Sequence, residues 1–258
     1  MKLHARSSRR RFLARGVATA GALALSGCDA LSRTEWFPKL LAAGEKLSRS
    51  THHLFGRGAM AQEFTEADLS PEFRSNGTAM PNSAAYRALA ASGFADYRLV
   101  VDGLVERPMR LSLAEVRALP SRTQITRHDC VEGWSAIGKW KGARLSALLA
   151  SAGLRPEARY VMFYCADPME EDGTHLYYES IDMLDATHPQ TLLAYELNDK
   201  PLPIKNGAPV RLRVERQLGY KHAKYVMRIE LVQSFAHIAG GNGGYWEDDQ
   251  GYEWYAGI

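Results

Sequence analysis

The sequence predicts one α+β domain built on a mixed sheet, and three observations carry that reading. Segments of strand character recur from residue 97 to residue 232, some alternating in polarity and one almost continuously apolar. Short helical segments fall between them, opened or closed by capping residues, Gly or Pro. No repeat is visible along the chain, which sets solenoids and propellers aside.

The elements follow in chain order. Residues 28–60 read as a tether and an irregular lead-in. Gly56-x-Gly58-x-x-Ala61 mimics a dinucleotide fingerprint, but no strand precedes it, so it reads as a loop. Residues 61–95, interrupted by Pro71, Gly77 and Pro81, read as an extended arm with helical turns. Tyr97 to Gly103 is a strand ending in a turn. Ser112-Leu113-Ala114-Glu115 is a capping box that opens a short helix stopping at Pro120. Thr123 to Arg127 is a strand that delivers Cys130 at its exit. Leu145 to Ala152 carries apolar residues at helical spacing and ends at Gly153. Tyr160 to Tyr164 is an apolar strand, and Ser180 is expected to start another short helix. Thr191 to Leu197 is a strand, after which Asn198-Asp199-Lys200-Pro201 turns the chain. Val210 to Val214 and Met227 to Val232 alternate as half-buried strands. The tail from Gly240 to Ile258 is rich in Gly and aromatics and shows no regular period.

The formal charge of +3 on 258 residues does not describe the folded region. Residues 1–27 hold Lys2, Arg6, Arg9, Arg10, Arg11 and Arg15 and no acid; setting these six aside leaves 26 basic against 29 acidic groups, a net of −3. No Lys/Arg run survives beyond them, so nucleic acid is not an expected partner. The apolar stretch from Gly16 to Gly27 is shorter than the ~20 residues a bilayer span takes and reads as part of a signal peptide over residues 1–27. Ser8-Arg9-Arg10-Arg11-Phe12-Leu13 resembles a twin-arginine leader, the signal for exporting folded proteins. Leu25-Ser26-Gly27-Cys28 resembles a bacterial lipobox, with lipid expected on Cys28, and Asp29 resembles an inner-membrane retention signal. The expected location is therefore periplasmic, anchored to the inner membrane.

Two cysteines then remain, Cys130 and Cys165. In an oxidising compartment they could form a disulfide. The surroundings of Cys130 point elsewhere. Arg127, His128, Asp129 and Glu132 flank it, and four ionisable groups are costly around a core thiol. A strand-exit loop facing a cleft suits a thiolate that binds a soft metal. No C-x-x-C, C-x-x-C-H or H-E-x-x-H occurs. Farther on, Lys205-Asn206-Gly207-Ala208-Pro209-Val210-Arg211-Leu212 and Gly219-Tyr220-Lys221-His222-Ala223-Lys224 combine turn signals with Arg and Lys. That set suits an anionic heteroaromatic cofactor with a phosphate tail; surface charges on an edge strand are the competing reading.

These segments, with His188-Pro189-Gln190-Thr191-Leu192, resemble the sulfite oxidase family of molybdopterin enzymes, over about residues 70 to 235. Within it, Cys130-Val131-Glu132-Gly133-Trp134-Ser135 is most similar to the catalytic subunit of periplasmic methionine sulfoxide reductases. The resemblance implies a mixed-sheet, sulfite oxidase-type molybdopterin-binding domain over residues 61–258, with one molybdenum-molybdopterin per chain and no haem. It implies that Cys130 ligates molybdenum. It implies that Asn76, Asn206, Arg211, His222, Ala223 and Lys224 bind the pterin and its phosphate, together with Cys165 or Asp167, a choice it leaves open. Trp246 and Tyr252 loosely resemble the Trp and active-site Tyr near the end of sulfite oxidases, with packing as the other role open to them. Glu132 stands where sulfite oxidases carry basic residues, is expected to be buried beside the substrate, and is a candidate proton relay. The expected reaction is two-electron oxygen-atom transfer, reducing a small-molecule or protein-bound S-oxide with electrons from a membrane cytochrome or quinol-linked subunit. A sulfite dehydrogenase and a catalytically inactive, partner-binding lipoprotein are the alternatives.

Overall fold

The computed structural model describes residues 33–258 apart from 56–57 and 171–172. The twin-arginine segment, the lipobox with Cys28, and Gly56 of the fingerprint mimic lie outside the described residues. The chain divides into a unit ending at Leu54 and a unit Phe55–Ile258.

The described part of the first unit is mostly helix α1, Trp36–Phe55, whose last residue opens the second unit. The lead-in is therefore not irregular as expected. Pro38 lies in the first turn, where its missing N–H costs no intrahelical bond.

The second unit holds two five-stranded sheets. The arm from residue 58 to residue 83 carries one 3-10 turn, Glu66–Asp68, and leads to α2, Ala84–Ala91. The first sheet comprises β1 (Arg98–Gly103), β2 (Met109–Ser112), β5 (Tyr160–Pro168), β6 (Leu176–Asp182) and β10 (Val226–Val232), in the order β2-β1-β10-β5-β6. Its β1–β10 pair is parallel and its other pairs antiparallel, so the sheet is mixed. The second sheet comprises β3 (Ser121–Asp129), β4 (Ser135–Arg144), β7 (Leu192–Leu197) and β8 (Lys200–Pro201), with β9 (Arg211–Arg213) paired to β7. Short helices α3 (Leu113–Ala118), α4 (Leu145–Ala152), α5 (Met183–Ala186) and α6 (Tyr245–Asp249) complete the unit.

Apolar side chains from both sheets meet in one core. Leu99, Val101, Phe163 and Ile229 of the first sheet pack with Leu193, Tyr195 and Leu212 of the second and Leu145 and Leu148 of α4. A smaller cluster gathers Phe73 of the arm, Trp140 of β4, Leu197 and Ala208. This second cluster fastens the arm beside the β3–β4 hairpin.

The capping box forms as expected: Ser112 Oγ accepts from the N–H of Glu115, whose carboxylate accepts from the N–H of Ser112. Three expectations fail. Ser180 lies in β6, paired with Met162, and Asp182 caps the next helix instead. Residues 210–214 are fully buried, not half-buried, since Arg211 donates to two carbonyls and Arg213 forms a two-bond pair with Glu215. The tail carries a helix, α6.

Candidate active site

The site begins at the tip of a hairpin. β3 and β4 pair in continuous register from Ser121 opposite Ala143 to Asp129 opposite Ser135. Residues 130–134 close the turn: the N–H of Cys130 donates to the carbonyl of Trp134 at 2.9 Å, and the N–H of Gly133 to that of Cys130 at 3.0 Å. Gly133 has φ +84°, a left-handed conformation that glycine adopts without a steric penalty. The turn holds Cys130 buried while Val131 beside it is exposed.

Cys130 lines a cavity of about 370 Å³. Around it the fold brings Asn76 of the arm, Glu132 of the hairpin tip, Asp167 of β5, and His222 and Lys224 from the segment before β10. Tyr177, Tyr220, Trp246 and Tyr252 supply an aromatic side. Trp246 and Tyr252 stack on one another, and Tyr252 meets Tyr220 edge-on. Both thus pack within the tail and line the cavity.

The amide of Asn76 donates to Sγ of Cys130 at 3.8 Å. Burial raises the thiol's affinity for its proton, helped by the Glu132 carboxylate and opposed by the N–H groups of Glu132 and Val131 and by Arg74. Glu132 itself is exposed, contrary to expectation, and its Oε2 accepts from the Trp134 indole at 2.9 Å. The bond fixes the carboxylate's direction, while water screens its charge.

Lys224 crosses from the strand segment to the arm. Its ammonium donates to the carbonyls of Asn76 and Thr78, each at 2.7 Å. Burial lowers its pKa to about 8. Gly207, at φ +109°, admits Lys224 and Arg211 together, since an added Cβ would stand 3.0 and 3.1 Å from theirs. Arg211 and Lys224 are buried, which excludes the reading of surface charges on an edge strand.

Arg211, Asn206 and Ala223 do not line the cavity. Arg211 donates to the carbonyls of Asn206 and His222, at 3.0 and 3.2 Å, and its guanidinium lies over Trp140. It therefore shapes the backbone on both sides of the wall. The Ala223 carbonyl accepts from the N–H of Leu212, tying that segment to β9. Burial keeps His222 neutral, reinforced by Arg213, His128 and Arg211. Its Nε2 stands 3.0 Å from the carbonyl of Gln217, which can only accept, so Nε2 carries the proton and Nδ1 is an open acceptor. Cys165 lies in the apolar core and does not line the cavity, whereas Asp167 does. Burial raises the Asp167 carboxyl. Both cysteines are free thiols, with no disulfide between them.

Buried polar atoms without a hydrogen-bond partner among the described residues include Nδ2 of Asn206, Nε of Arg211, Nδ1 of His222 and Oδ1 of Asp167. Buried polar groups are nearly always bonded. Of these, the Nδ1 acceptor of His222 and the Oδ1 of Asp167 belong to residues that line the cavity beside Lys224, a set that suits a polar ring with an anionic tail. Among the described residues no three His, Cys, Asp or Glu side chains group to hold a metal ion. A metal at Cys130 would thus take further donors from a cofactor, as a pterin dithiolene supplies.

Sequence reasoning missed a group behind the aromatic side. The Lys221 ammonium, fully buried, donates to Glu179 at 2.5 Å and to Glu247 at 2.7 Å. Tyr177 donates to Glu179 and to the carbonyl of Tyr220. These residues come from β6, the segment before β10, and α6; no local pattern pairs them.

The family and sequence relatives of the chain agree with this geometry. Residues 87–237 match the family described as the oxidoreductase molybdopterin binding domain. An Azospira oryzae protein named for the protein-methionine-sulfoxide reductase subunit YedZ1 is 38% identical over 251 residues, 97% of this chain and 88% of that protein. The protein-methionine-sulfoxide reductase catalytic subunit MsrP of Xanthomonas axonopodis pv. citri is 37% identical over 162 residues, 60% of this chain and 48% of the relative. The sulfane dehydrogenase SoxCD of Paracoccus pantotrophus aligns at a TM-score of 0.49 and 25% identity, covering 54% of this chain and 39% of that one. A two-sheet α+β fold, a cavity-lining thiol beside buried polar atoms left without partners, and a family match over more than half of the chain lead to one conclusion: the chain belongs to the oxidoreductase molybdopterin-binding domain family and is a molybdopterin oxidoreductase.

Proposed function

We propose that this chain is the catalytic subunit of an exported methionine sulfoxide reductase, taking an S-oxide that is free or part of a protein. The observation that carries the reading is Glu132, a carboxylate lining the cavity two residues from Cys130 and oriented by Trp134. An anion such as sulfite would pass that carboxylate, whose charge water screens only in part, and among the described residues the one cation lining the cavity, Lys224, donates to two backbone carbonyls and would turn what donor capacity remains to the cofactor's phosphate. A dipolar, uncharged S-oxide meets no such repulsion, and Tyr177, Tyr220, Trp246 and Tyr252 offer its alkyl groups an apolar side. The names of the two relatives given above support the same substrate class.

When bound, molybdenum-molybdopterin supplies two-electron oxygen-atom transfer chemistry. Cys130 would hold the metal. Asn76, His222 and Lys224 would hold the pterin and its phosphate, with Asn206, Arg211 and Ala223 setting the backbone behind them and Asp167 at the wall. Reduction of an S-oxide takes two electrons and two protons and releases a sulfide and water. Glu132, exposed to solvent and directed by the indole N–H, is placed to pass protons from water into the cavity. The electrons come from a membrane cytochrome or quinol-linked subunit. The test is steady-state turnover with a reduced viologen dye and S-oxides, beside sulfite with an oxidised acceptor. Sulfoxide reduction without sulfite oxidation is expected; the reverse would replace this reading with a sulfite dehydrogenase.

The reading includes export by the twin-arginine leader and a lipid on Cys28 that holds the protein at the periplasmic face of the inner membrane. Two acyl chains of about 14 carbons, at ~0.8 kcal/mol per buried CH₂, supply roughly 20 kcal/mol. High-salt washing should leave the protein on membranes, and Cys28→Ala should release it or block its processing.

A further inference from the structure

Helix α1 has two faces of different kind. At about 100° per residue, Trp36, Leu40, Leu47 and Leu54 fall within about 40° of one another and Leu41 about 100° beyond them, so the five span an arc of roughly 140°. These five side chains are exposed, Leu47 at 69% and Leu54 at 75%. Lys39, Lys46 and Arg49 fall in the remaining arc, Lys39 about 60° from Trp36 and Arg49 farthest from it, and the segment contains one acid. Among the described residues no helix is long and apolar enough to cross a membrane. A helix of 20 residues is about 30 Å long. A cationic polar face, an apolar stripe rich in Leu and Trp, and too little apolar length to span are the properties of a helix that lies in a lipid headgroup layer.

We propose that Trp36–Phe55 lies in the surface of an anionic bilayer, with Leu40, Leu47 and Leu54 against the acyl chains and Lys39, Lys46 and Arg49 among the headgroup phosphates. Charge complementarity selects this occupant: three cationic side chains against one acid favour an anionic lipid surface. The inference uses no residue of the cavity, so it stands whether or not the sulfoxide reading does. It adds a contact that acts without the lipid on Cys28.

The test uses the cofactor-loaded chain from residue 28 onward, carrying Cys28→Ala so that no lipid contributes. Co-sedimentation is measured with protein-free vesicles of phosphatidylglycerol and phosphatidylethanolamine, and with phosphatidylcholine alone. Partition into the anionic vesicles should be at least about tenfold higher at low salt, given ~1 kcal/mol per basic residue near such a surface. Leu40→Ser with Leu47→Ser should lower it about tenfold or more, as removal of two buried Leu side chains requires. Lys39→Gln, Lys46→Gln and Arg49→Gln together should erase the preference for anionic lipid. Dibrominated acyl chains should quench wild-type tryptophan fluorescence, and Trp36→Phe should remove that quenching. Dye-driven turnover should be unchanged in every variant, which separates lipid binding from folding and from the redox reading. Three outcomes would overturn the proposal: no preference for anionic vesicles; binding to native membranes but not to protein-free vesicles, which marks a protein partner; or self-association that Leu47→Ser abolishes without any vesicle binding, which marks a second copy of the chain.

Discussion

The side-chain amide of Asn76 donates to Sγ of Cys130 at 3.8 Å, across 54 residues of sequence. The carbonyl of the same Asn76 accepts from Lys224, so three segments far apart in the chain are fixed to one another at the thiol. Asn76→Ala should weaken metal retention or slow turnover roughly 10- to 100-fold, the usual cost of removing an outer contact to a metal ligand. Cys130→Ser should abolish turnover and the Mo–S(Cys) signal in X-ray absorption, while wild-type protein should contain about one molybdenum per chain.

Glu132→Gln keeps the shape of the side chain and removes its charge. If the carboxylate passes protons, kcat should fall roughly 100- to 10,000-fold while KM for an S-oxide changes little. Steady-state kinetics with a reduced viologen dye reads both constants. Unchanged turnover would assign Glu132 to holding Trp134 and would remove the main argument against sulfite.

The cofactor-free protein should become more stable as pH rises above about 8. Burial lowers Lys224 to about 8 from its ordinary 10.5. Below that range the folded state bears the full cost of a buried ammonium. Between about 8 and 10.5 the folded protein has released a proton that the unfolded chain keeps, so stability rises with pH. Thermal melts from pH 7 to 10 should show this rise in wild type and a smaller one in Lys224→Met. An anion beside Nζ favours the charged form, so retention of the phosphate-bearing cofactor should fall over the same range.

Lys221→Met should be among the most destabilising substitutions in the domain. It leaves Glu179 and Glu247 buried together without their shared cation. Breaking a buried pair costs roughly 3 to 5 kcal/mol, about 6 to 20 °C in Tm for a domain of this size. Calorimetry would read the loss. Glu179→Gln with Glu247→Gln in the same chain should recover part of it.

Cys130 was legible because its polar flanks contradict a core role, and Asn206, Arg211 and Lys224 because turn signals and charges coincide. The strand that carries the hairpin's second arm was not legible. Gly138 and Gly142 look like breakers in Ser135–Arg144, yet they are there for packing: a Cβ on Gly142 would stand 2.4 Å from the Leu193 carbonyl, and one on Gly138 2.8 Å from Phe73. Ser180 and Asp182 are both good helix caps by type, and pairing of β6 with β5 decides between them. The bonds of Lys221 to Glu179 and Glu247 join residues 42 and 26 positions apart, beyond the reach of any local pattern.

The parallel pairing of β1 with β10 has a temporal consequence. Val100 lies opposite Arg228 and Gly103 opposite Leu231, so the middle of the first sheet joins the beginning of the domain to a strand near its end. A ribosome adding ~5–20 residues per second delivers the later strand roughly 6 to 26 s after the earlier one. Until then β5 lacks the neighbour that links it to β1, and Lys224, two residues before β10, cannot reach Asn76. The thiol of Cys130 is made first and waits, and a pocket able to grip a pterin exists only once Lys224 and the strand after it have followed.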